Sequence, residues 1–155
     1  MMDKKLVILG AGQSGVGAAI LGKKMGYEVL VSDQNNINTE LQALLEKEGI
    51  RWEAGQHTLE SMQEAHLVVK SPGIPSDVPL IKTLKAQGKT ICSEIEFAAQ
   101  HTSATLIGIT GTNGKTTTTL LTYQILKEAG LHVGMAGNIG TSFALQVAQT
   151  DFDFY

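Results

Sequence analysis

The sequence predicts an α/β fold, a mostly parallel sheet with flanking helices. Short apolar, β-rich runs alternate with helical segments of seven to fourteen residues along the chain. Helices of that length imply crossovers between parallel strands. Two of these strand-to-helix turns are also rich in glycine, Gly10-Ala11-Gly12-Gln13-Ser14-Gly15 and Thr110-Gly111-Thr112-Asn113-Gly114-Lys115.

In order, residues 6–9 (Leu-Val-Ile-Leu) read as a buried strand, 14–25 as a helix and 28–32 as a second strand. Residues 39–48 place Leu41, Leu44 and Leu45 on one helical face. Residues 50–53 and 67–69 read as strands, 78–87 as a helix and 90–92 as a short strand. A second unit begins near Ser93, with 94–100 as a connecting helix and 106–109 as a strand. A helix over 117–130 follows, carrying Leu120, Leu121, Ile125 and Leu126 at helical spacing. Residues 131–135 read as a strand, 142–149 as a helix and 152–155 as the start of another strand. The expected organisation is a Rossmann-like domain over residues 1–93, then over 94–155 the truncated start of a P-loop ATPase-type α/β domain. An uncovered strand at the last residue suggests a piece of a longer protein.

With 155 residues and 43% hydrophobic side chains, the chain can bury a core. Its net charge of −3 gives no basic footprint for nucleic acid or an anionic membrane. Cys92 is the single cysteine, so no internal disulfide exists. No stretch approaches a membrane span, and the expected location is the cytoplasm.

The second glycine-rich turn carries the more specific chemistry. Small residues let successive amides face phosphate oxygens, and the following helix turns its positive end to the same anion. Lys115 adds a full charge, and the Thr116 hydroxyl is placed to help hold Mg²⁺. The general pattern asks for Gly where this chain has Ile109, with glycines at 108 and 111 instead. Gly111, Thr112, Asn113, Gly114, Lys115, Thr116 and Thr117 are the candidate residues of an ATP or GTP phosphate site, with Lys115 and Thr116 the candidate catalytic residues and Thr116 the metal ligand.

The first turn fits G-x-G-x-x-G, with Asp33 about 20 residues on at the end of a strand. Such a turn recognises a pyrophosphate, so NAD and other diphosphate nucleotides both remain open. Lys70-Ser71-Pro72-Gly73-Ile74-Pro75 follows a strand and forms a stiff shelf, or a plain turn. Ala136-Gly137-Asn138-Ile139-Gly140 allows close backbone approach, and the Asn138 amide suits a phosphate or sugar oxygen. His57, His66, His101 and His132 lack metal-ligand spacing and read as surface or strand-edge residues. Cys92 reads as a small buried hydrophobe and Trp52 as core.

Taken together and in this order, the first turn, Ser-Pro-Gly-Ile, Gly-Thr-Asn-Gly-Lys-Thr-Thr and Gly-Asn-Ile-Gly resemble the Mur ligases of peptidoglycan synthesis over essentially the whole chain. Asn113, where the L-alanine-adding branch usually has His, favours the D-glutamate-adding branch. The resemblance implies that the N-terminal domain holds UDP-N-acetylmuramoyl-L-alanine and that no redox cofactor is used. It places Gln13 and Ser14 near the phosphates and ribose, and Asp33 and Gln34 near the uracil. Gly73, Gly137 and Asn138 fall near the diphosphate and sugar. Asn35 stands where the family often has a basic residue. The implied reaction is ATP-dependent amide formation with D-glutamate through an acyl phosphate. The remaining metal ligands and the D-glutamate site are expected beyond Tyr155, so the chain alone is expected to lack ligase activity. The alternatives are the L-alanine-adding relative, an NAD-dependent oxidoreductase and a nucleotide-binding regulatory module.

Overall fold

The computed structural model describes residues 4–137 and 139–155. Five strands, β1 (Lys5–Leu9), β2 (Glu28–Asp33), β3 (Arg51–Ala54), β4 (Leu67–Lys70) and β5 (Thr90–Ser93), form one sheet in the order β3-β2-β1-β4-β5. Every pairing is parallel. The order reverses beside β1, whose Leu9 lies opposite Ser32 of β2 and Lys70 of β4. Three carboxyl ends therefore open side by side at the switch point, the place where an open parallel sheet offers a ligand crevice.

The period-two geometry of β1 divides the core. Leu6 and Ile8 point to one face and Val7 and Leu9 to the other, all at most 2% exposed. Helices α1 (Gln13–Lys24), α2 (Thr39–Lys47), α5 (Glu94–Ala99) and α7 (Phe143–Gln149) supply the first face with Val16, Ala18, Leu21, Leu45, Phe97 and Val147. Helices α3 (Leu59–Gln63) and α4 (Pro79–Ala86) cover the second face with Met62, Ile81 and Leu84. A strand buried on both sides is a continuous apolar run, which is why residues 6–9 carry no polar side chain.

Local chemistry sets several helix ends. Asn38 accepts the Glu40 N–H ahead of α2, and Pro79 opens α4 where its missing N–H costs nothing. Ser93 and Glu96 form a reciprocal capping box on α5, and Ser142 caps α7 through the Leu145 N–H. Gly22 lets α1 lie close to the sheet, since a Cβ there would come within 2.3 Å of Leu6 Cδ2.

Helix α6 (Lys115–Glu128) begins two residues earlier than the sequence predicts, and none of its residues is buried. The three strands expected at 106–109, 131–135 and 152–155 do not form. Single parallel bridges join Thr105 and Val133 to Phe154, supported by Tyr155 N–H to Thr105 O (3.0 Å) and Gly134 N–H to Phe154 O (2.8 Å). These segments lie in strand-like register, but while Val133 is buried and Tyr155 packs on Phe143, Leu106 and Ile107 stay exposed by 46% and 41%. Parallel strands need apolar layers on both faces, and at Leu106 and Ile107 that cover is missing. The five-residue α3 escaped the sequence reading because it is too short to show a helical period.

Candidate functional site

The site is assembled at the carboxyl ends of β1, β2, β3 and β4. Gly10 leaves β1 with φ +92° and donates its N–H to Ser32 O at 2.9 Å. A Cβ at Gly15 would lie 1.9 Å from Gly10 O, so close packing of the turn on its helix demands glycine there. Gly12 and Gly73 differ: neither has a positive φ, and a Cβ on either would meet nothing within 4 Å. The fold makes no demand for glycine at these two positions.

Asp33, at the end of β2, brackets the first turn. Its Oδ2 accepts the Ala11 N–H at 2.7 Å and its Oδ1 the Asn35 N–H at 2.8 Å. Ser71, just past β4, donates its N–H to Leu9 O (2.9 Å) and its hydroxyl to Gly10 O (3.3 Å). The Lys70 ammonium holds the shelf from behind by donating to Ile74 O at 2.6 Å and Ser71 O at 3.3 Å.

The structure gathers most of the first set of sequence candidates into one cleft of about 940 Å³. Gln13, Ser14, Asp33, Gln34 and Gly73 all line it, with Gly12 and Pro72 beside them. Gly137 does not line it; that residue is exposed on the loop leading to α7. Asn138 lies outside the described residues. The two regions meet at Gln13, which also lines a smaller groove with Thr141 and Ser142.

The second set forms a separate feature. Gly114 adopts the left-handed conformation (φ +77°) as the N-cap of the fourteen-residue α6. The Thr118 N–H is the first to close a helical bond, on Gly114 O at 2.9 Å, while the amides of Lys115, Thr116 and Thr117 have no partner among the described residues. Lys115 Nζ folds over the loop and donates to the carbonyls of Gly111 and Thr112. Three free amides and an ammonium at a helix start suit an anion, and the exposed Thr116 hydroxyl in the same turn suits a hard cation held beside it. None of residues 111–117 lines the first cleft. Among the described residues, no cluster of three or more His, Cys, Asp or Glu side chains is disposed to hold a metal.

Sequence reasoning missed one group. His57 is half-buried and lines the cleft beside Gly55 and Gln56, and its Nδ1 lies 2.7 Å from the hydroxyl of fully buried Ser32. Ser32 also donates to Glu53 Oε1 at 2.6 Å, and the Thr58 N–H donates to the same oxygen at 2.9 Å. Burial pushes the Glu53 carboxyl up, but the bonds from Ser32 and Thr58 and the nearby His57 outweigh it and hold it below its ordinary value. The available signal was position: His57 follows the third parallel strand as Asp33 ends the second. Cys92 is half-buried rather than enclosed, and burial pushes its thiol up to about 11. Trp52 packs against the core from a half-buried position.

A parallel sheet with a glycine-rich turn at its switch point, and an anion-ready loop heading a later helix, define an α/β protein with two candidate anion-binding turns. The family profile described as "Mur ligase MurD-like, N-terminal domain" matches residues 4–93, and that described as "Mur ligase middle domain" matches residues 109–154. The chain belongs to the Mur ligase family. It is 57% identical over 152 residues to the UDP-N-acetylmuramoylalanine--D-glutamate ligase of Bacteroides fragilis, covering 98% of this chain and 34% of that protein. The Bacteroides thetaiotaomicron enzyme of the same name matches at the same identity and coverage. Among solved structures, a pseudomurein peptide ligase type C from Methanothermus fervidus superposes with a TM-score of 0.61 at 30% identity, covering 98% of this chain and 32% of that one. The chain thus spans about a third of the length of these curated relatives, 34% of each.

Proposed function

We propose that this chain supplies two substrate-binding parts of an ATP-dependent ligase that joins D-glutamate to UDP-N-acetylmuramoyl-L-alanine. Residues 1–93 form the UDP-substrate domain and residues 94–155 begin the ATP-binding domain. The observation that carries the reading is the cleft at the switch point, where Gly12 and Gly73 are glycine without any demand from the fold. Such positions serve a ligand that approaches the backbone closely, as a diphosphate does. Gln13 and Ser14 then meet the phosphates and ribose, Asp33 and Gln34 the base, and Gly137 and Asn138 the sugar side.

In the proposed reaction an oxygen of the substrate's alanyl carboxylate bonds to the γ-phosphorus of ATP as the bond to ADP breaks. The amine of D-glutamate then attacks the acyl carbon, phosphate leaves, and the surplus amine proton passes to solvent. Phosphoryl transfer depends on positioning and charge neutralisation. The free amides at 115–117 and the Lys115 ammonium serve that purpose. Thr116 would help to hold Mg²⁺, which would supply further neutralisation of phosphate charge. A location in the cytoplasm accords with the use of ATP and a UDP-linked substrate, and no helix among the described residues is long and apolar enough to cross a membrane.

Thermal-shift titration tests the reading. UDP-N-acetylmuramoyl-L-alanine at a hundred times its Kd should stabilise the chain by about 2.7 kcal/mol. UDP-N-acetylmuramate should do so less, and NADH not at all. Stabilisation by NADH without any by the UDP ligand overturns the proposal in favour of an oxidoreductase. Lys115→Ala should abolish the response to MgATP and spare the response to the UDP ligand; loss of both refutes the division between the two parts.

A further inference from the structure

We infer that His57 is a specificity-determining residue at the base end of the cleft, where an unprotonated Nε2 accepts the ring N–H of a uracil nucleotide. The inference rests on the UDP reading above and deepens it. It begins with one proton shared among three groups. The Ser32 hydroxyl is fully buried, 2.6 Å from Glu53 Oε1 and 2.7 Å from His57 Nδ1, and it has a single hydrogen to donate. An ionised carboxylate only accepts, so that hydrogen lies on the Glu53 side. The reverse assignment would set lone pairs of Ser32 and Glu53 against each other at 2.6 Å. Ser32 Oγ therefore accepts from His57, and the imidazole proton sits on Nδ1.

The consequence appears at the other end of the ring. With Nδ1 protonated, the neutral imidazole carries its lone pair on Nε2, which has no hydrogen-bond partner among the described residues. His57 lines the cleft with Asp33, Gln34, Asn35, Gly55 and Gln56. Asp33 already uses both oxygens to bracket the backbone at Ala11 and Asn35. His57 Nε2 is an acceptor whose sense the protein itself fixes, whereas the side-chain amides of Gln34, Asn35 and Gln56 can turn either an oxygen or an NH₂ to a ligand. Uracil presents N3–H between two carbonyls, whereas cytosine presents a lone pair at that ring position. A fixed acceptor rewards the first and repels the second, giving discrimination that a bare pyrophosphate turn lacks.

The test has two arms. ¹⁵N-detected NMR of the unliganded chain should show His57 protonated at Nδ1 and bare at Nε2, with the Nε2 resonance moving when UDP is added. A proton found on Nε2 of the free chain overturns the inference. In calorimetric titrations, the native chain should bind UDP about tenfold tighter than N3-methyl-UDP, the scale of one net hydrogen bond. CDP should be similarly disfavoured. His57→Phe keeps a flat ring without the acceptor, and should bring UDP and N3-methyl-UDP within about twofold of each other, losing most of the tenfold preference. Undiminished discrimination in His57→Phe overturns the role of His57 while leaving the UDP reading intact. Failure of UDP to bind the native chain overturns both. Ser32→Ala frees the imidazole without touching its ring. It should yield mixed tautomers and a partial loss of discrimination, and an unchanged tautomer there refutes the proton assignment.

Discussion

Replacing Glu94 tests how the segment that follows the sheet is fixed to it. Glu94 opens α5, is only 3% exposed, and its Oε1 accepts from the Ser142 hydroxyl at 2.8 Å and the Ala144 N–H at 2.6 Å. Ser142 in turn caps α7 through the Leu145 N–H at 3.2 Å. A seven-residue helix has no independent stability, so α7 depends on this bracket and on packing against α1 and α5. A bond to a charged acceptor contributes about 1.5–3 kcal/mol, and contributions from one shared oxygen are not additive. Glu94→Ala should therefore cost about 2–4 kcal/mol and lower Tm by roughly 5–15 °C for a chain of this size. Glu94→Gln retains an acceptor and should cost about 1 kcal/mol. Ser142→Ala loses a helix cap and should cost about the same. Urea unfolding by circular dichroism gives these values, and a double-mutant cycle between positions 94 and 142 should reveal coupling above about 0.5 kcal/mol. Hydrogen exchange at the Ala144 and Leu145 amides localises the effect. A Glu94→Ala chain within about 0.5 kcal/mol of native, or unchanged protection at Ala144, would show that the bracket does not hold α7.

Other perturbations address single links in the same structure. Gly15→Ala forces a Cβ to within 1.9 Å of Gly10 O and should destabilise by more than about 2 kcal/mol in a urea titration, whereas wild-type stability would mean the turn relaxes freely. Gly12→Ala meets no neighbour, so it should leave unfolding unchanged and weaken UDP binding; equal UDP affinity would remove that glycine from the ligand's path. Cys92, with its thiol pushed up to about 11, should react with iodoacetamide at pH 8 roughly a hundredfold more slowly than an unperturbed thiol, and labelling at the rate of the unfolded chain contradicts this. Glu53 is held below its ordinary 4.5 in the fold, so its contribution is present above that value and is lost as pH falls through the lower, folded pKa. Glu53→Gln should flatten the fall of stability on acidification below about pH 5, and an unchanged slope would remove Glu53 from acid unfolding.

Legibility in the sequence followed the physics of each element. The run at 6–9 announced a central strand because burial on both faces leaves only apolar residues, and Leu6 through Leu9 are that strand. The cleft residues Gln13, Asp33 and Gly73 were legible because glycine-rich turns and strand ends are local patterns that the topology brings together. His57 was not legible. Its significance comes from contact with Ser32, 25 positions away on a neighbouring strand, and no local pattern encodes such a pairing. The strands expected at 106–109, 131–135 and 152–155 show the opposite limit. Their composition is β-rich, and their backbones take up parallel register, but a ladder also needs layers above and below. The spacing of Leu120, Leu121 and Ile125 likewise specified a helix without specifying a partner, and all three are exposed.

The glycine fingerprint of the first turn separates into two physical classes, and that separation explains why it identifies a fold more securely than a ligand. Gly10 and Gly15 answer to the chain itself: one takes a positive φ against Ser71, the other passes its own helix over the Gly10 carbonyl. Any protein that joins a strand to a helix this tightly needs them, whatever it binds. Gly12 answers only to the contents of the cleft, and a pyrophosphate is common to NAD and UDP ligands alike. Asp33 is no more decisive, because a carboxylate anchored on the backbone amides of Ala11 and Asn35 can still accept from a base or from a ribose alike. Selectivity must therefore arise where the ligands differ, at the base, from groups whose hydrogen-bonding sense is fixed before the ligand arrives. The buried chain from Glu53 through Ser32 to His57 fixes that sense, and it draws on β2, β3 and the loop beyond. The sheet thus serves the site twice, by opening the cleft at its switch point and by setting the proton that faces into it.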